Sequence, residues 1–130
     1  MIRALATLLA LAAGTALAQG VTDTQIVLGQ SVALSGPAQE LGKDMQLGAS
    51  LYFNEVNAKG GVNGRRIVLK TVDDGYEPAR AAENTRKLIA EEKVFALFGY
   101  VGTPSSAASL PIEIVTLRCG SHKMAASKSI

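Results

Sequence analysis

The spacing of apolar residues changes repeatedly along this chain, and each change marks an element. Ile26 to Val32 is a short run in which Ile26, Val27, Leu28 and Val32 are apolar, which predicts a strand. Gly29 inside it predicts close packing or a backbone approach. From Ala38 to Ala58 the period lengthens. Leu41, Met45, Gly48, Tyr52 and Val56 recur at three- and four-residue steps, Ala49 and Phe53 widen the stripe, and the pattern predicts a helix that buries this face. Gly60-Gly61 is a natural stop, and Lys59 suits the negative end of the helix dipole. Arg66 to Val72 predicts a second strand through Ile67, Val68, Leu69 and Val72. Pro78 opens a second helix, to about Glu92, with Ala79, Ala82, Thr85, Arg86 and Ile89 carrying its period and Leu88 adding to the buried side. Val94 to Phe98 predicts a third strand. The alanine-rich run Ala107 to Leu110 predicts a third helix, with Thr103 as its N-cap and Pro104 in its first position.

Strand and helix thus alternate three times, which predicts an α/β fold with a parallel sheet flanked by helices. Ligands of such sheets bind beyond the carboxyl ends of the strands. Three loops fall there: Leu34 to Pro37, Asp73 to Pro78 and Gly99 to Ser106. The last is the most suggestive. Gly99 and Gly102 let a backbone come close to a guest, and Thr103, Ser105 and Ser106 crowd a helix start whose unpaired amides attract an anion. The reading is a site for the carboxylate of a small solute; the alternative is an ordinary capped helix with nothing bound. Asp73-Asp74 is read as a solvated loop rather than a metal or phosphoacceptor pair.

Composition narrows the function. Arg3, the apolar run Ala4 to Ala13 and the small-x-small Ala16-Leu17-Ala18 have the order of a secretory signal peptide over residues 1–18, with Gln19 first after cleavage. The apolar run is too short for a membrane anchor. No cysteine stands near the cleavage point, so the expectation is a soluble periplasmic product. Cys119 is the only cysteine, which excludes an intramolecular disulfide. The formal net charge is +2, yet residues 19–111 hold nine basic and ten acidic side chains. No basic patch with interleaved aromatics supports nucleic-acid binding. No Cys/His spacing suits a metal, the Gly99 loop lacks a Walker lysine and a full dinucleotide fingerprint, and Ser35 has no histidine base. The single histidine, His122, lies in the tail. The chain is therefore read as a non-enzyme without cofactor or metal.

The pieces Leu34-Ser35-Gly36-Pro37, Gly42, Asn57-Ala58-Lys59-Gly60-Gly61-Val62-Asn63-Gly64-Arg65, Val72-Asp73-Asp74 and the Gly99 to Ser106 loop occur in this order. In that series the chain from Ile26 to about Pro111 resembles the exported solute-binding proteins of branched-chain amino acid ABC transporters, the leucine/isoleucine/valine class. The resemblance implies the N-terminal lobe of a type I periplasmic-binding-protein-like fold, here residues 19–111. It also implies a two-lobed clamshell that closes on an amino acid or similar carboxylate and delivers it to a membrane permease. The loop from Gly99 would supply backbone and hydroxyl contacts to the carboxylate. Thr103 would be its principal hydroxyl, Ser105 would stand beside it, Tyr100 and Gly102 would flank the site, and Leu41 would pack on the ligand side chain. Residues 112–130 depart from the family. Ile112 to Leu117 has strand propensity, and Gly120 to Ile130 reads as disordered. The expectation is a shortened product with weak or no binding on its own; the alternative is part of an extracellular ligand-sensing domain of a receptor.

Overall fold

A computed structural model describes residues 18–120 of the chain. The expected signal peptide, apart from Ala18, and the stretch beyond Gly120 lie outside the described residues. Six elements alternate as expected: β1 (Gln25–Val32), α1 (Gln39–Ala58), β2 (Arg66–Asp73), α2 (Pro78–Ala90), β3 (Ala96–Leu97) and α3 (Thr103–Gly120). The strands form one parallel sheet in the order β2-β1-β3, with Ile26 opposite Ile67 and Leu28 opposite Leu69 and Ala96. Going from β1 to β2 and then back across to β3 reverses direction. Right-handed connections therefore put α1 on one face and α2 on the other. The residues agree. Val27 on β1 packs with Leu88 of α2 and with Val94, and a side chain at Gly29 would meet Leu88, Val94 and Leu97 at 3.1–3.2 Å. Gly29 is thus the point of close packing that the sequence predicts.

Two expectations about packing do not hold. The face of α1 that enters the fold is lined by Gly42 and Ala49, with Phe53 and Val56 half-buried. Leu41, Met45 and Tyr52 of the predicted face are exposed, as are Leu47 and Leu51. The small residues win because they let the helix backbone approach the end of β1. The third strand is also shorter than predicted. The amides of Phe95 and Phe98 donate to the carbonyls of Val27 (2.7 Å) and Gly29 (2.8 Å). A three-residue step on one side faces a two-residue step on the other, which leaves only Ala96–Leu97 in regular pairing, as at a bulge.

Beyond Pro111 the predicted strand at Ile112 to Leu117 is instead the continuation of α3 to Gly120. β-propensity measures the fit of a side chain to a neighbouring strand, whereas a helix satisfies its backbone by itself. Without a sheet neighbour the local solution prevails, even though Pro111 inside α3 cannot donate a backbone hydrogen bond.

The Asn-Ala-x-Gly-Gly run is a joint between α1 and the edge strand β2. The Asn57 side chain donates to the Ile67 carbonyl at 2.8 Å and accepts from the Ile67 amide at 2.7 Å. Replacing Asn57 by alanine removes both bonds and leaves a part-buried amide unpaired, at a cost of about 2 kcal/mol. Thermal melts of the Asn57→Ala chain followed by circular dichroism should show a midpoint lower by several degrees; an unchanged midpoint would mean the joint contributes nothing.

Candidate functional site

The three loops meet at the carboxyl end of the sheet, and Asp73 joins the first two. As the last residue of β2 it directs its carboxylate at the loop after β1. Oδ1 accepts from the amides of Leu34 (2.8 Å), Ser35 (3.2 Å) and Gly75 (2.9 Å). Oδ2 accepts from the Ser35 hydroxyl at 2.6 Å and lies 3.5 Å from the Arg80 guanidinium. The Ser35 hydroxyl, opposed by burial and helped by these backbone amides, holds the carboxyl at about 2 against its ordinary 3.8.

Asp74 corrects the expectation of a solvated pair, because it is fully buried. Its carboxylate accepts from the Ser31 hydroxyl at 2.9 Å and from the Tyr76 amide at 2.8 Å. Asn84 of α2 completes the group, donating to the Ser31 hydroxyl (3.2 Å) and the Asp73 carbonyl (3.1 Å). Both acids therefore shape the loop: each caps an amide two residues ahead. The turn they enforce puts Gly75 and Tyr76 at positive φ, 59° and 67°. For a tyrosine this is a strained backbone, held by its surroundings.

That turn aims Tyr76 at the third loop. A side chain at Gly102 would stand 2.4–2.9 Å from the Tyr76 ring and hydroxyl, so only glycine, here at φ 93°, fits beneath it. From the sheet, Gln30 holds the start of the same loop. Its side chain, fully buried, donates to the Gly99 carbonyl at 3.1 Å and accepts from the Thr71 hydroxyl at 3.0 Å. Gln30 and Asn84 were not foreseen as part of this region, and Asp74 and Tyr76 were foreseen only as members of the Asp73 to Pro78 loop, with no role of their own. The Asp-Asp-Gly turn was the one local signal available, since the partners of the others are distant in sequence.

The expected site residues divide. Thr103 is exposed and is the first residue of α3 rather than its cap. The Ser106 amide donates to the Gly102 carbonyl at 3.0 Å, which makes Gly102 the cap. With Pro104 lacking an N–H, the Thr103 and Ser105 amides remain at the positive end of the helix. Leu41, in the first turn of α1, is 62% exposed and free of packing duty. Tyr100 and Ser105 do not join them through their side chains. The Tyr100 hydroxyl lies 2.7 Å from the Thr85 hydroxyl and ties the loop to α2. Ser105 is fully buried, so its hydroxyl is out of a solute's reach. Among the described residues no group of three or more His, Cys, Asp or Glu is placed to hold a metal.

Residues 25–113 match the family described as periplasmic binding protein. A curated relative, the Leu/Ile/Val-binding protein BraC3 of Rhizobium johnstonii, is 30% identical over 77% of this chain and 26% of its own length. A crystal structure of a possible leucine/isoleucine/valine-binding protein from Rhodopirellula baltica is 43% identical, with a TM-score of 0.69 over 72% of this chain and 25% of that one. A fatty acid ABC transporter substrate-binding protein from Thermomonospora curvata is 33% identical, with a TM-score of 0.69 over 76% of this chain and 25% of that one. The chain thus spans about a quarter of the length of the relatives it matches.

Proposed function

Because this chain belongs to the periplasmic binding protein family, we propose that it carries one wall of the ligand cleft of an exported solute-binding protein of an ABC transporter. The proposed solute is a branched-chain amino acid or a related small carboxylate, handed on to a membrane permease, and no chemistry is performed on it. Export through the N-terminal signal peptide to the periplasm is part of the same reading. The observation that carries it is the start of α3, where exposed Thr103 and the first helical amides sit on a loop braced by Gln30 and Tyr76. A carboxylate is the group that such a start accepts. The relatives named for leucine, isoleucine and valine and the one named for fatty acids have that group in common among their ligands. The exposed Leu41 supplies an apolar contact for the rest of the solute.

A one-sided wall leaves these groups in water, where each hydrogen bond replaces one to solvent and gains little. A nuclear magnetic resonance titration of the 130-residue chain with leucine, isoleucine and valine should therefore show millimolar affinity. The shifts should be confined to Gly102 to Ser106 and Leu41. A micromolar constant would contradict the one-sided site, and shifts elsewhere would move the ligand away from α3.

A further inference from the structure

The loop after β2 delivers one hydroxyl to the start of α3. Tyr76 sits at φ 67°, a conformation rare for a tyrosine, and the buried Asp74 carboxylate holds it there by accepting the Tyr76 amide at 2.8 Å. The atoms it brings to Gly102 belong to the hydroxyl end of the ring. A Cβ on Gly102 would stand 2.8 Å from Cζ and 2.9 Å from the hydroxyl oxygen. Gly102 directly precedes the exposed Thr103, and adjacent Cα atoms are only about 3.8 Å apart. The phenol oxygen therefore lies beside the first turn of α3. Tyr76 is 37% exposed, and among the described residues its hydroxyl makes no hydrogen bond. Other donors near these loops are engaged. The Tyr100 hydroxyl is 2.7 Å from that of Thr85, and the Arg80 guanidinium donates to the Asp73 carbonyl at 3.2 Å and faces its carboxylate at 3.5 Å.

We propose that the Tyr76 hydroxyl is a hydrogen-bond donor to the carboxylate of the solute, acting from a second loop alongside Thr103 and the first amides of α3. The inference rests on the α3 site proposed above and adds a residue to it. A carboxylate presents about four lone-pair directions, and the Thr103 hydroxyl with the Thr103 and Ser105 amides answers at most three of them. A phenol O–H donated to a carboxylate is charge-assisted, and so stronger than a bond between neutral groups. The acids of the same loop are engaged within the protein, Asp73 by the Leu34, Ser35 and Gly75 amides and Asp74 by Ser31 and the Tyr76 amide. Packing alone explains Tyr76 less well. A phenylalanine would cover Gly102 equally, and a glycine would hold the positive φ without strain. What tyrosine adds at this position is the hydroxyl.

The test is a nuclear magnetic resonance titration of the full 130-residue chain, carrying 15N throughout and 13C at the tyrosine Cζ atoms. The probe is 3-methylbutanoate, a branched carboxylate without an ammonium group, and its neutral amide is the control. The Tyr76 Cζ resonance, assigned by its loss in Tyr76→Phe, should move with the same midpoint as the Thr103 amide, while that of Tyr52, exposed on α1, stays still. Tyr76→Phe keeps the ring over Gly102 and should bind the acid at least about threefold more weakly. Movement at Thr103 without movement at Tyr76 overturns this inference and leaves the α3 site standing. So does a Tyr76→Phe chain that binds as the parent does, or an equal Tyr76 shift with the amide, which would make the contact one of the ring alone. Movement at neither residue overturns the site and this inference together. The Cζ shift is read on the parent chain, so the outcome does not depend on how the variant folds.

Discussion

Replacing Gly42 by alanine is expected to abolish the cooperative melt of this chain, while the same replacement at Gly48, less than two turns along the same helix, is expected to raise its midpoint. A Cβ on Gly42 would stand 1.9 Å from the Ala33 carbonyl oxygen, 2.6 Å from its carbon and 3.0 Å from the Ala33 amide nitrogen. All three are backbone atoms, so no rotamer change relieves the clash. Either α1 lifts from the end of β1 or β1 shifts in the sheet. Overpacking against side chains costs about 1–3 kcal/mol, and against fixed backbone the upper end is the minimum to expect. The core here is small, built around Val27, Leu88 and Val94, and a domain of this size has only a few kcal/mol of net stability to lose. At Gly48 nothing lies within 4 Å of the added carbon. There alanine brings only its better helix propensity, worth about 1 kcal/mol. Far-UV circular dichroism melts of the two variants beside the parent chain decide the matter. If Gly42→Ala melts like the parent, the close approach of α1 to Ala33 is not what seats the helix.

The same contact explains why the sequence was a good guide to element order and a poor one to burial. Apolar runs bounded by glycine and proline placed the long strands and the starts of α1 and α2 within a residue or so. The orientation of α1 was misread because the stripe Leu41-Met45-Tyr52 outweighs Gly42 and Ala49 on any hydrophobic count. What turns the helix is the absence of a side chain at Gly42, a steric fact that periodicity does not weigh. That rotation leaves Leu41 facing solvent, as the proposed ligand contact requires. Asp74 was misread for a different reason. Its Ser31 partner is 43 residues earlier, and the sheet register that joins them is not local information. Asn57 is the opposite case: its partner Ile67 is ten residues away across a tight turn, so a structural role was readable from the run itself. Thr103 was displaced by one position because Gly102, with positive φ and the Tyr76 ring over it, takes the cap. The Asp73-Asp74-Gly75 turn signals a bend before Tyr76, but that its ring lands on Gly102 is not local information.

Asp73 should be the residue through which acid reaches this end of the molecule. Its carboxylate is the common acceptor for the Leu34, Ser35 and Gly75 amides and the Ser35 hydroxyl, so Asp73→Ala strands several donors at once. A cost of about 3 kcal/mol follows, enough to disconnect the loop after β1 from the loop after β2. Asp73→Asn keeps Oδ1 as an acceptor but turns an NH2 toward the Ser35 hydroxyl and the Arg80 guanidinium, so a smaller loss is expected. The acid titration separates charge from shape. The folded carboxyl is depressed from 3.8 to about 2. A depressed value means that the stabilisation is complete above the unfolded value and is lost as pH falls from there through the folded one. The side chain is 31% exposed, so solvent screening limits this contribution to about 1–2 kcal/mol. Urea midpoints of the parent and Asp73→Asn chains should therefore differ at about pH 5 and converge toward about pH 2. A gap of the same size at both values would mean that the loops are joined by the geometry of the side chain and owe nothing to its charge.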